Sequence, residues 1–265
     1  MIVYQVVNEY KKLDEVVAIT IAGSGASGKN DFFYDIDIDI ILKSDIERDK
    51  RKTILQKLSD SIETIQGKFG EKDIFILRNS TIQIAIAYFT LDTLRENLTN
   101  VVERYEASKG YTTCLWKNVI NSYIAYDRDN IFRDIQNKYR VKYPEELKAN
   151  IIGKNYSLLR DGISSYYNQI NRAINRGDAV SINHKISKFL DSYFDIIFAL
   201  NEMPHPGGKR ILPIINAKCS KKPKHINEAV KNLLESAVAC DESILKNIDY
   251  IVDELKELLE EENVI

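Results

Sequence analysis

Cysteine is scarce and scattered. The chain has three, Cys114, Cys219 and Cys240, and their spacing makes neither a disulfide framework nor a zinc site. Reduced thiols and a cytoplasmic setting are the expectation. An excess of one charge is also missing: the formal net charge is −2, so nothing draws the whole chain to nucleic acid or to a membrane surface. No apolar run reaches the length of a membrane span. The opening stretch MIVYQVVNEYKK has no basic start and no cleavage site, so no secretory signal is expected. Internal repeats and low-complexity segments are absent as well. What is present is an ordinary globular composition. Over 265 residues, 44% are hydrophobic and 29% charged, enough for a sizeable core in one large domain or two of ordinary size.

One stretch stands out, Ala22 to Leu42, AGSGASGKNDFFYDIDIDIIL. The apolar run Val16–Ile21 leads into it and reads as a buried strand. Three glycines and several small residues follow, a composition that lets backbone amides approach a phosphate closely. Then Asp35-Ile36-Asp37-Ile38-Asp39-Ile40 alternates acid and isoleucine at period two, which predicts a strand with its aspartates on one face and its isoleucines on the other. Gly23 to Lys29 has the glycine spacing and lysine of a P-loop, but Asn30 stands where Ser or Thr would hold magnesium, and a strand follows where a helix is required. Neighbouring aspartates on one strand face lie about 7 Å apart and repel by about 2 kcal/mol at an effective dielectric near 20, and aspartate suits strands poorly. A solvated edge strand is the bland explanation; a bound cation, offsetting both costs, is the sharper one.

Gly23-Ser24 followed by Asp35-Ile36-Asp37-Ile38 resembles the signature of polymerase-beta-type nucleotidyltransferases. The resemblance implies that Gly23, Ser24 and the loop amides, with Lys29, meet a nucleotide triphosphate, and that Asp35 and Asp37 hold two magnesium ions bridging its phosphates. Such chemistry displaces pyrophosphate in line, and hard cations suit carboxylate, phosphate and water oxygens. Asp39 lies beyond the pattern, as a third ligand, a general base or a surface residue. Relatives carry a further acid on the strand after the hairpin. Gln83, or Ala85 in a shifted register, occupies that place here, and neither takes a proton; Asp39 or Asp73 are the substitutes within reach.

The implied fold class is α+β, a small mixed sheet with flanking helices followed by an all-helical domain. Along the chain, residues 2–13 predict a helix and Asp45 to Gly67 an amphipathic one, with Ile54, Leu55, Leu58, Ile62 and Ile65 at helical spacing. Asp73–Leu77 and Thr81–Phe89 read as strands about a turn at Arg78–Ser80, and Thr90 as the cap of a helix reaching Ala107. Helices are then expected over Tyr111–Asp127, Ile131–Tyr139, and from Pro144 to Gly177, with Gly153 and Gly162 as places for a close contact or a bend. Asp178 or Ser181 caps the next, and two more end the chain. The division falls near residue 108: a catalytic core over 1–108 and a helical, acceptor-binding side over 109–265.

Tyr126-Asp127-Arg128-Asp129, Tyr143-Pro144-Glu145-Glu146-Leu147, Arg176-Gly177-Asp178, Phe198-Ala199-Leu200-Asn201 and Gly208-Lys209-Arg210 resemble, in that order, an uncharacterised group of bacterial nucleotidyltransferases. Their helical domain is similar to that of aminoglycoside and lincosamide adenylyltransferases. Met203–Asn227 contains no acid. Lys209 and Arg210 either reach the triphosphate or lie in a solvated basic loop, and Lys221–Lys224 read as a balance for the acidic tail. His184 reads as a structural histidine or a base, and Asp191 and Asp195 as partners of Lys188 or a cradle for an amine. The expected activity is magnesium-dependent transfer of AMP from ATP to a hydroxyl of a small molecule or a protein; nucleic acid is not an expected acceptor. The alternative is a nucleotide-binding interaction protein of the same fold, such as a toxin–antitoxin partner, with transfer weakened or lost.

Overall fold

The structure is a computed structural model, which describes residues 2–22, 35–67 and 70–265. The chain forms two compact units. One contains residues 1–100 and 115–141, the other residues 101–114 and 142–265. Residue 108 thus lies within the short first segment of the second unit.

The first unit is built on a six-stranded mixed sheet. Helix α1 (Ile2–Tyr10) leads into β1 (Val16–Ala22), followed by β2 (Asp35–Leu42), α2 (Arg48–Leu55), β3 (Ile62–Gly67), β4 (Gly70–Ile76), β5 (Gln83–Thr90), α3 (Leu91–Leu98), α4 (Cys114–Asn121), β6 (Tyr123–Asp127) and α5 (Ile131–Tyr139). The strand order is β3-β4-β5-β2-β1-β6. Only β2 and β5 run parallel; the other neighbours are antiparallel. Thr90 caps α3 as its sequence suggests, its hydroxyl accepting from the Thr93 amide. A π-helical turn, Thr99–Glu103, then ends that run, short of the expected Ala107.

Two expected helices give way in part to strands. The amphipathic helix to Gly67 stops at Leu55, and Ile62–Gly67 is strand β3, paired with β4. Ile62 and Ile65 satisfy a helical spacing, but the free edge of β4 offers that segment ladder hydrogen bonds. Ser59 punctuates the change by donating to the carbonyls of Ser61 and Ile76. The expected helix Tyr111–Asp127 likewise ends at Asn121, and Tyr123–Asp127 becomes β6, which covers the outer edge of β1. A row of open backbone groups on β1 is a strong lure for a β-prone Tyr-Ile-Ala-Tyr segment.

One face of the sheet is the core. Ile38, Ile40 and Leu42 from β2, Ile84, Ile86 and Tyr88 from β5, and Phe75 from β4 pack with Val6, Val7 and Tyr10 of α1 and Ile54 and Leu55 of α2. This core holds a buried polar chain. The Tyr10 and Tyr88 hydroxyls are 2.7 Å apart, Tyr88 donates to Asp73 Oδ2 at 2.8 Å, and Thr64 donates to Asp73 Oδ1 at 2.7 Å. Arg51 pairs with Asp73 (3.3 Å) and with Glu71, its guanidinium 4.6 Å from the Tyr88 ring centre.

The second unit is helical: α6 (Glu145–Leu159), α7 (Tyr166–Ile174), α8 (Ala179–Leu200), α9 (Ile211–Lys218), α10 (Ile226–Ser236) and α11 (Ser243–Glu261). The single helix expected from Pro144 to Gly177 is broken at Gly162, where a Cβ would meet the Ser157 carbonyl oxygen at 2.8 Å. Ile163 is 92% exposed in that break, and Ser165 caps the restart. Asp178 caps α8 through the Ser181 amide. From Ser192 to Leu200 every residue of α8 is buried, so its second half is the axis of this unit.

Candidate active site on the acidic face of the sheet

Strand β2 is not an edge strand. It lies between β1 and β5, which removes the solvated-edge explanation for its aspartates. Register places Ala22 and Ala85 opposite Asp37, Thr20 and Ala87 opposite Asp39, and Gln83 opposite Asp35. Directly opposed residues share a face, so the aspartates face away from the isoleucines that build the core. Burial deepens along this face. Asp37 and Gln83 are exposed, Asp39 and Ala85 are half-buried, and Thr20, Ala87, Ile41 and Phe89 are buried. An acid can therefore meet solvent at one end of the strand while the other end is anchored.

Burial, and secondarily the charge on Asp37, raise the Asp39 carboxyl to about 7, with Lys72 opposing. Lys72 belongs to the face because it pairs with Ala87, which pairs with Asp39. Nothing in the sequence singles out Lys72; only the β4–β5 register brings it there.

The neighbouring strand supplies no further carboxylate. Gln83, Ala85 and Ala87 are what β5 presents beside the three aspartates, so both registers considered for the relatives' third acid give an amide or a methyl. Asp73 is also excluded as a substitute. It pairs with Ile86, a core residue, so it points to the opposite face, where it belongs to the buried chain with Arg51 and Tyr88. Gly23, Ser24 and Lys29 lie outside the described residues.

Among the described residues no group of three or more His, Cys, Asp or Glu side chains is gathered for a metal ion. Magnesium rarely needs one, since it takes one or two carboxylates and completes its shell with water and substrate phosphates. Asp37, exposed beside half-buried Asp39, offers hard oxygen donors of that kind, and the strand fits the ion.

The second unit contains the other candidates. Lys209 and Arg210 are exposed, and Arg210 takes a left-handed backbone (φ 57°) just before α9. Lys221 pairs with Glu262 at 2.7 Å, which ties the basic segment to the acidic tail as its charge pattern suggests. Asp191 pairs with Lys188 at 3.3 Å, and His184 is exposed. The reading of Asp195 as a partner of Lys188 or an amine cradle is corrected: it is 1% exposed and accepts from the Thr112 amide and hydroxyl, the latter at 2.7 Å. Its position four residues after Asp191 could not reveal that the 101–114 segment returns to cover it. At Gly110, in that segment, φ is +80° and a Cβ would lie 2.8 Å from that of Asp191, so no side chain is tolerated.

Burial raises the Asp195 carboxyl to about 6 against the pull of Thr112. The folded chain then keeps a proton that the unfolded chain has already lost, so this group's stabilisation is lost as pH rises. Relative to Asp195→Asn, the natural protein should lose stability between about pH 4 and pH 6 and show a constant difference above that. Urea melts of both proteins across that range check it; parallel curves would mean that Asp195 is ionised throughout.

A family model described as a domain of unknown function (DUF4037) matches residues 112–209. The match starts well after β2 and stops before Arg210. No curated protein matches the chain. A nucleotidyltransferase-like protein from Exiguobacterium sibiricum 255-15 is similar over 97% of this chain and 73% of its own, at 12% identity and a TM-score of 0.43. Spectinomycin adenyltransferase AAD(9) from Enterococcus faecialis, crystallised with ATP and spectinomycin, is similar over 96% of this chain and 99% of its own, at 14% identity and a TM-score of 0.30.

Proposed function

We propose that this chain is a magnesium-dependent nucleotidyltransferase that moves AMP from ATP to a hydroxyl of a small-molecule or protein acceptor. The observation that carries the reading is the placement of Asp37 and Asp39 on the outward face of a central strand, with Gly23-Ser24 shortly upstream in the sequence. A central strand tolerates such a row of acids poorly unless a cation compensates it. The acceptor oxygen attacks the α-phosphorus, the bond to pyrophosphate breaks, and the hydroxyl proton departs to solvent or a base. Asp35 and Asp37 would hold the metal, which supplies charge neutralisation for the phosphates. Ser24 and the amides beside Gly23 would bind the triphosphate, with Lys29 as a further phosphate contact; Lys209 and Arg210 are proposed as anion contacts of the second unit. The helical second unit is the side proposed to bind the acceptor.

A second reading has its own support. With Gln83, Ala85 and Ala87 opposite the aspartates, β5 offers no carboxylate to receive the proton, as a nucleotide-binding interaction protein with little transfer would permit. Pyrophosphate release with ATP and magnesium, over a panel of hydroxyl acceptors, separates the two when nucleotide binding is measured in parallel. Turnover supports the transferase; tight binding with none across the panel supports the interaction protein.

Asp39 is then an auxiliary residue. It is half-buried where Asp37 is exposed, so Asp39→Asn should cost less turnover than Asp37→Asn. Gln83→Glu should raise magnesium affinity by restoring an acid beside Asp35. Kinetics of both variants at several magnesium concentrations test this. Equal inactivity of the two Asn variants, with Gln83→Glu silent, would assign the third carboxylate's work to Asp39.

A further inference from the structure

The first unit contains a cleft unrelated to the acidic face. It has a volume of about 420 Å³ and is lined by α3 and α5, within the range of small-molecule sites. From α5 come Ile131, Asp134, Ile135 and Lys138, which share one helix face at three- and four-residue spacing. Arg95 of α3 and Thr99, at the start of the π-helical turn, form the other wall, and Tyr139 closes it. None of these residues is shared with the acidic face.

The geometry points to a binding site for a small organic anion with a flat or apolar body. Two cations, Arg95 on one wall and Lys138 on the other, outnumber one acid, Asp134, in the lining. Arg95 is exposed and forms no ion pair or side-chain hydrogen bond among the described residues, so its planar fork is available to a phosphate or carboxylate. Lys138 stands 4.9 Å from the Tyr139 ring centre. Deeper in, the Tyr139 and Thr99 hydroxyls meet at 3.0 Å. Either can donate, so the pair can turn a hydrogen or a lone pair toward a ligand. Ile131 and Ile135 supply the apolar floor. Tyr139 itself is 2% exposed, so this wall is fixed before any ligand arrives.

The cleft has a built-in reporter. Trp116 is the chain's one tryptophan, and its indole N–H donates to the Tyr139 carbonyl at 2.8 Å. Phenyl phosphate and benzoate are suitable probes, titrated into the full chain with a chelator present so that the acidic face carries no metal. Tryptophan emission and calorimetry are read together. At least one probe should saturate at millimolar concentration. Arg95→Ala should weaken that binding roughly 10-fold or more, Lys138→Ala less, and Asp134→Asn should strengthen it. All three positions are exposed, so folding should survive; unchanged thermal melts verify this. The better probe assigns the headgroup. The proposal is overturned if neither probe gives saturable heat, if Arg95→Ala binds as well as the natural protein, or if benzylamine binds as tightly as the anions.

Discussion

Asp37→Asn should leave a folded protein whose nucleotidyl transfer is lowered by orders of magnitude, roughly 10²-fold or more. The expectation joins two properties of one position. Asp37 is exposed on a central strand, and asparagine keeps its size and shape, so the substitution opens no cavity. It also bears charge beside Asp39, and loss of like charge relieves repulsion rather than creating it. Stability should therefore stay level or rise slightly while turnover falls. Asp35→Asn should behave alike in turnover, because the resemblance assigns both as metal ligands. Denaturation curves and pyrophosphate release, measured on the same preparations, check the pair of outcomes. Full activity in Asp37→Asn would falsify the metal assignment. Unfolding of that variant would show instead that the carboxylate is a structural partner within the sheet.

Much of this face was legible in advance because its signal is local. Acid and isoleucine alternating at period two give β2, its two faces and the candidate residues. Thr90, Asp178 and Gly177 mark helix ends through chemistry within a few residues of themselves. What the sequence hid depends on distant partners. Ile62 and Ile65 fit a helix as well as a strand, and only the open edge of β4 decides between them. Tyr123–Asp127 becomes a strand because β1 has an edge to offer. Lys72 joins the acidic face, and Asp73 leaves it, through the β4–β5 register, which no spacing along the chain encodes. Asp195 reads as a polar-face residue until the 101–114 segment folds over it.

Asp73 makes this distinction testable, because its chemistry and its location argue for opposite roles. As an acid on a strand beside the hairpin it was a candidate for the missing third carboxylate. As placed, it is a buried anion, 2% exposed, matched by Arg51 at 8% and by hydroxyls of Thr64 and Tyr88. Arg51→Met should therefore destabilise the first unit by about 3–5 kcal/mol, the usual consequence of leaving a buried charge uncompensated. Asp73→Asn should cost less alone, since an amide still accepts from one hydroxyl. Combined with Arg51→Met it should recover part of the loss, because the pair is then replaced rather than broken. A double-mutant cycle in urea measures that coupling. Turnover per folded molecule in Asp73→Asn should stay near that of the natural protein. A deep loss of transfer with stability intact would return Asp73 to the reaction; a recovery of stability in the double variant with transfer preserved throughout makes the pair a tie between α2 and β4. That tie would bear on the site only through the sheet, since β4 packs on β5 and β5 sets the register of the strand that carries Asp35, Asp37 and Asp39.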